Sequence, residues 1–358
     1  MPDLRDDAVS SSAGDNHGRD RDGAGASAKE RATMGKRYSL PGDWQGMASW
    51  LATIAVVIVV FSFLNPRFAS IENLQNVLVQ ASVPLIIVVG TTLVILMGSI
   101  DLSVQGVMGA AGMAWILLSP NARGGPDYGV WAWVIAMGLG LFLGFLMGAI
   151  YTQFKVPSFV VTLGTWNIGL GIATILYGDN LLPSLTSDAL SQWPTRLTLG
   201  LPNSFWLAAI VVLGGVLLIG FTRLGRGILA IGNNEPMAVV NGLPVGRIKI
   251  VAFAIAGLLS GLAGILATMQ LGSGSPGVGG GQLFTVIPAA VIGGTALGGG
   301  EGGMLRSALG VFLLIIFNNG LVLAGVNPDY QSGVFGAILV IAIVAVGWPQ
   351  RDRLQVAK

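Results

Sequence analysis

"IVAFAIAGLLSGLAGILATMQLGSGSPGVGGGQLFTVIPAAVIGGTALGGG", residues 250–300, contains no Asp, Glu, Lys or Arg. A membrane-crossing helix needs roughly 20 apolar residues, so the run is long enough for two crossings. It divides at "LGSGSPGVGGGQ" (271–282), where Gly and Ser discourage a helix. Outward from this stretch, charge is equally absent over 44–66, 73–100, 102–122, 128–154, 156–178, 197–222, 307–328 and 330–350. These eight runs and the two crossings of 250–300 predict ten spans. The composition agrees: charged residues are 10% of the chain against about 25% in ordinary soluble domains, and the mean hydropathy is +0.74.

Loops rich in Lys and Arg stay in the cytoplasm, and this sets the orientation. With the N-terminus inside, 16 of the 19 basic residues fall in cytoplasmic segments, leaving only Arg67, Arg123 and Arg196 outside. The expected fold is therefore all-α, a polytopic membrane protein of about ten transmembrane helices with both termini cytoplasmic. Residues 1–45, rich in Gly, Ser, Ala, Asp and Arg, cannot bury enough apolar surface to order and are expected to form a solvated tail. A membrane-spanning body is expected over 46–348, with a cytoplasmic loop at 223–249, and a second tail over 349–358. The formal charge of +2 reflects topology and gives no reason to expect nucleic-acid binding.

Several chemistries are excluded from the body of the chain. His17 is the only histidine and sits in the N-terminal tail, so a His-based triad or His-ligated metal cannot operate within the spans. No cysteine is present, which removes disulfides and thiolate sites. There is no G-x-x-x-x-G-K-[ST] phosphate loop, so transport driven by ATP would need the nucleotide on another subunit.

Asp101, in "MGSIDLSVQG", is the one acidic residue that looks embedded. An intramembrane carboxyl marks a functional site by default; it can equally cap a helix starting at Leu102. Thr165, Trp166 and Asn167 in the fifth predicted span, and Asn318 and Asn319 in the ninth, offer amides, a hydroxyl and an aromatic face to a passing polyhydroxyl solute. Three segments place Gly-Thr after Pro, "VPLIIVVGT" (83–91), "VPSFVVTLGT" (156–165) and "IPAAVIGGT" (287–295), and are expected to be kinked or discontinuous helices. Gly140, Gly144 and Gly148, and Gly257 with Gly261, form small-residue ladders suited to close helix packing.

Between the sixth and seventh predicted spans lies "GNNEPMAVVNGLPV" (232–245), a polar insert in an apolar chain. Capping rules predict a short helix here: Asn233 or Asn234 caps it, Pro236 sits in the first turn, Gly242 ends it and Pro244 prevents a restart. About seven residues at 1.5 Å each reach roughly 10 Å, too short to cross a bilayer. Met237 and Val240 at i, i+3 spacing would form an apolar knob for a socket in another protein.

This insert, together with "SIDLSVQG", "VPSFVVTLGT", "GSGSPGVGGGQLFTVIPAAVIGGTALGGGEGG" and "NNGLVLAGVNPDYQ", closely resembles the membrane permease subunits of binding-protein-dependent ABC importers for monosaccharides, the ribose-type branch. The resemblance covers roughly 48–348. It implies a transport subunit of the bacterial inner membrane with no catalytic activity, translocating a monosaccharide or polyol. The implied partners are a cytoplasmic ABC ATPase that holds ATP and Mg, a periplasmic sugar-binding protein and a second permease copy, with membrane lipid around the body. No cofactor is implied on this chain. Glu235, Ala238 and Gly242 match the family's coupling-helix motif, and with Gly232 and Asn234 they are the residues expected to serve ATPase coupling. Pro236 and Met237 depart from the motif, and Ser99 and Gln105 stand where glycines are usual beside Asp101. The alternative is a stand-alone secondary sugar carrier or facilitator, which would transport without an ATPase and show a proton or sodium dependence abolished at Asp101.

Overall fold

The computed structural model describes residues 44–179 and 181–327, with isolated positions between 330 and 340. The two expected tails, except Trp44 and Gln45, and most of the tenth predicted span lie outside the described residues. The chain is helical almost throughout, as an apolar chain in lipid must be, because only a helix satisfies every backbone polar group within its own segment.

The first helix, α1 (Trp44–Leu64), is followed by a 3-10 turn at Pro66–Ala69 and by α2 (Ile71–Leu96). Ser70 starts α2 by accepting a hydrogen bond from the Asn73 N–H at 3.1 Å. Next come α3 (Val104–Leu117), α4 (Val130–Phe154) and α5 (Ser158–Tyr177). A short α6 (Asp188–Gln192) and a two-stranded hairpin, β1 (Leu197–Thr198) with β2 (Leu201–Pro202), lead into α7 (Asn203–Phe221). The polar insert contributes α8 (Arg223–Asn233) and α9 (Glu235–Val240). The chain then forms α10 (Val245–Leu271), α11 (Gln282–Ile292) and α12 (Met304–Leu323).

Six of the described helices, α2, α4, α5, α7, α10 and α12, are long and apolar enough to cross a membrane. The run 102–122 forms only the 14 residues of α3, and the second half of 250–300 only the 11 residues of α11. Neither reaches the roughly 30 Å of a hydrocarbon core at 1.5 Å per residue. Both are preceded or followed by non-helical backbone that is packed against protein, the setting in which such backbone is tolerated at membrane depth.

The centre of the molecule is α2, 89% buried over its most apolar window, with α10 beside it at 67%. Around them α4, α5 and α7 present apolar side chains outward: Phe142, Phe145, Ile175 and Ile210 are all exposed. A rim of that kind would be an aggregation surface in water and is ordinary in lipid.

The glycine ladders pack helices within the chain. A Cβ on Gly140 would come within 2.5 Å of the Gly257 carbonyl oxygen, and one on Gly257 within 2.3 Å of the Gly140 carbonyl oxygen. Thus α4 and α10 touch backbone to backbone, as small-residue faces permit. Of the three Pro/Gly-Thr segments, only one is a true break. Pro84 lies inside the uninterrupted α2, and Pro157 merely precedes α5. The third, 287–295, does break: α11 ends at Ile292 and Gly294 takes φ +88°. A proline in a helix removes one hydrogen bond, and in the densely buried α2 the helix continues through Pro84 despite that loss.

Candidate functional site

The segment 223–249 is a compact helical unit, more structured than the expected loop. Thr222 caps α8, its hydroxyl accepting from the Gly225 N–H at 3.1 Å. Asn234 then caps α9, its side-chain oxygen accepting from the Met237 N–H at 3.0 Å, with Pro236 in the first turn where its missing N–H is harmless. The helix stops in a paired C-terminal motif: the Leu243 N–H donates to the Ala238 carbonyl at 3.1 Å and the Gly242 N–H to that of Val239 at 2.9 Å. Gly242 adopts φ +76°, the left-handed conformation that this ending requires and that a side chain resists.

The six-residue α9 has two distinct faces. Ala238 is buried in a cluster with Ile228, Ile231, Val245 and Ile248, which clamps α9 to α8 and to the start of α10. Met237, Val239 and Val240 point away and are 54%, 57% and 79% exposed. Ala238 therefore anchors the helix from beneath and does not belong to its outward face. Glu235, at the first turn, is half-exposed and pairs with the Lys249 ammonium at 2.7 Å.

Gly232 also lies inward. It sits near the end of α8, where a Cβ would fall 1.9 Å from the Leu96 carbonyl oxygen and 2.4 Å from the Gly300 nitrogen. Those two groups are themselves hydrogen-bonded, Gly300 N–H to Leu96 carbonyl, at 2.9 Å. Hence the end of α8 rests on the point where two non-helical segments meet: 97–103, between α2 and α3, and 293–303, between α11 and α12. The same two segments touch again where a Cβ on Gly98 would lie 3.1 Å from the Gly298 carbonyl oxygen.

Asp101 lies in the first of these segments and is 2% exposed. It does not cap a helix beginning at Leu102, because α3 begins two residues later, at Val104. Its Oδ1 accepts from the Ser103 N–H at 2.8 Å and from the Ser103 hydroxyl at 2.6 Å, a local turn that shapes the approach to α3. Its Oδ2 has no hydrogen-bond partner among the described residues. The start of α5 packs alongside: the Ile100 N–H donates to the Ser158 hydroxyl at 3.1 Å and the Thr162 hydroxyl to the Ile100 carbonyl at 3.4 Å.

The remaining path candidates divide between two places. Thr165 is buried and bonds its own helix at the Val161 carbonyl, 3.0 Å. Trp166 is half-buried, and its carbonyl oxygen lies 2.1 Å from where a Cβ on Gly106 of α3 would be. Asn167 is exposed and donates to the Leu163 carbonyl at 2.9 Å. These three share the Asp101 side of the molecule. Asn319 does not: buried on α12, its side-chain oxygen accepts from the Asn73 amide at 2.9 Å, while Asn318 beside it is exposed. Asn73 and Leu96 stand at opposite ends of α2, so the Asn319 cluster and Asp101 are on the order of 35 Å apart at 1.5 Å per residue.

Lys249 is the residue that sequence reasoning misplaced. Counted as a charge of the cytoplasmic loop, it lies inside the first turns of α10 and is 6% exposed. The available signal is its flanking by Ile248 and Ile250 at the edge of a charge-free run, where a lysine survives only with partners.

Comparison with known proteins identifies the fold's lineage. Residues 73–343 match the family model described as branched-chain amino acid transport system / permease component. The chain is 35% identical over 321 residues to the ribose import permease protein RbsC of Escherichia coli (strain K12), covering 88% of this chain and 97% of the relative. It is 35% identical over 316 residues to RbsC of Bacillus subtilis (strain 168), covering 87% and 96%. It is 30% identical over 316 residues to the D-allose transport system permease protein AlsC of Escherichia coli (strain K12), covering 88% and 95%. No solved structure matches the chain. With its apolar crossing helices and its paired helix breaks, the chain belongs to the family of ABC import permease components, multi-pass transport subunits of the inner membrane that leave ATP hydrolysis to a separate subunit.

Proposed function

We propose that this permease carries a monosaccharide or related polyol into the cytoplasm, that α9 is the coupling helix received by a cytoplasmic ABC ATPase, and that a periplasmic sugar-binding protein delivers the solute. The relatives named for ribose and for D-allose support the sugar class. The observation that carries the coupling role is the division of α9: Ala238 is locked to the body while Met237, Val239 and Val240 stand exposed on a capped six-residue helix. A short, rigidly seated helix with an apolar outer face is suited to a groove in a partner. ATP and Mg belong to that partner, and this chain binds no cofactor of its own.

The charge distribution supports cytoplasmic termini and ten crossings, with α3 and α11 as partial spans that complete their passage through the non-helical segments beside them. Asp101, Thr165, Trp166 and Asn167 then border the translocation path near its cytoplasmic end, with Asn318 and Asn319 toward the other end. A second copy of the chain completes the permease. The body 46–348 performs the transport, and 1–45 and 349–358 are cytoplasmic tails.

Reconstitution in liposomes with and without the ATPase tests the reading. Sugar-dependent ATP hydrolysis in the complex, abolished by Glu235→Lys, is the expected result. Sugar uptake by this chain alone would refute it and favour a secondary carrier.

A further inference from the structure

The Lys249 ammonium has two side-chain partners on two different elements. It donates to Glu235 Oε1 at the start of α9 at 2.7 Å and to the Tyr151 hydroxyl on α4 at 3.0 Å. The same nitrogen stands 4.7 Å from the centre of the Tyr151 ring. The Tyr151 hydroxyl in turn lies 3.1 Å from Ser99 Oγ, in the segment between α2 and α3. An ammonium can only donate, so the phenol oxygen accepts from it. That polarisation favours the phenol proton bonding Ser99.

We infer that Glu235, Lys249, Tyr151 and Ser99 form a polar relay that transmits movement of α9 into the 97–103 segment beside Asp101. The inference rests on α9 being the coupling helix. Stability alone does not account for the arrangement, because Glu235 is 46% exposed and an ion pair with one solvated partner stabilises little. What a buried, hydrogen-bonded charge adds is an obligation to keep its partners. Were α9 to shift by about 1 Å relative to α4, one of the ammonium's bonds would stretch beyond hydrogen-bonding range. Leaving a desolvated ammonium short of a partner costs more than dragging Tyr151 and Ser99 along. Ser99 is 1% exposed and two residues from Asp101, so the displacement is delivered to the segment that holds the buried carboxyl. Gly232, at the end of α8, touches Leu96 and Gly300 beside the same segment, so the helix that precedes α9 reaches it directly as well.

The absence of cysteine permits a direct test. Ile100→Cys places a single thiol in the segment, at a residue that is 37% exposed. In the assembled permease–ATPase complex, its labelling rate by a maleimide is measured without nucleotide and with ATP plus vanadate. The expected result is a nucleotide-dependent change in rate that Tyr151→Phe reduces about five-fold, the factor corresponding to one net hydrogen bond. Ser99→Ala should reproduce the loss, and the double variant should be no worse than either single one, as members of one chain require. Full retention of the nucleotide-dependent change in Tyr151→Phe or Ser99→Ala overturns the relay, as does a labelling rate at Ile100→Cys that never responds to nucleotide. Met237→Asp, scored only for ATPase association, tests the coupling-helix reading separately: if the ATPase still binds it normally, that reading has failed, whatever the thiol reports.

Discussion

Replacing Gly232 by Ala asks whether this residue serves the ATPase contact or the internal packing. An added Cβ would overlap the Leu96 carbonyl oxygen at 1.9 Å and the Gly300 nitrogen at 2.4 Å, both backbone atoms that cannot rotate away. To relieve the overlap, α8 must lift or the Gly300–Leu96 hydrogen bond of 2.9 Å must open. Overpacking of a close backbone contact costs about 1–3 kcal/mol, and a buried N–H or carbonyl left without its partner costs about another 1–3 kcal/mol. The better helix propensity of Ala returns only about 1 kcal/mol. The net expectation is a loss of about 1–5 kcal/mol, equivalent to a fall on the order of 2–10 °C in the apparent unfolding midpoint of the detergent-solubilised protein. Tryptophan fluorescence or size-exclusion after heating reads the change. Gly246→Ala is the control, because nothing lies within 4 Å of a Cβ there and the position is helical. An unfolding midpoint for Gly232→Ala equal to that of Gly246→Ala would refute the reasoning. Loss of ATPase binding without loss of stability would return Gly232 to the docking surface.

Other consequences follow from the same contacts. Gly144→Ala would drive a Cβ to 2.4 Å from the Phe253 carbonyl oxygen, and thermal unfolding should show α4 and α10 separated at a cost of about 1–3 kcal/mol. Met237→Asp, on a side chain that is 54% exposed, should leave the unfolding midpoint within the span of about 0.5 kcal/mol usual for surface changes, while co-purification of the ATPase is lost. Asn73→Ala removes the 2.9 Å bond to Asn319 and should cost about 1–3 kcal/mol as a buried acceptor loses its donor; sugar uptake per folded complex should fall with it, and unchanged uptake would remove Asn319 from the translocation path. Asp101→Asn retains an oxygen for Ser103, so the turn should form; uptake in proteoliposomes should then be insensitive to a protonophore both before and after the substitution. A proton-gradient dependence that vanishes in the variant would point to a secondary carrier.

Much of the short helix could be read directly from the residues. Asn234, Pro236 and Gly242 act through their own backbone neighbourhood, and caps and turns depend on only a few consecutive residues. The division of 250–300 at 271–282 was legible for the same reason. Less accessible was the role of each residue within its pattern. Ala238 and Gly232 belong to the recognised motif, yet both face inward, because which side of α8 and α9 meets the body depends on α10 and on the breaks beside Leu96 and Gly300. Pro84 and Pro288 have similar local sequences and opposite outcomes: dense burial carries α2 through its proline, whereas α11 ends soon after.

The sequence by itself determined that this chain lives in lipid, which of its segments are free of charge, how the basic residues are distributed between them and where the short polar helix starts and stops. All of these follow from composition and from interactions within a few residues. Only the tertiary structure decided that Lys249 is interior, that Tyr151 and Ser99 are its company, and that α8 rests on two helix breaks far apart in the chain. Those contacts join residues separated by tens to hundreds of positions. No local pattern encodes them, because they exist only once close packing of the glycine faces has brought the helices within reach of one another.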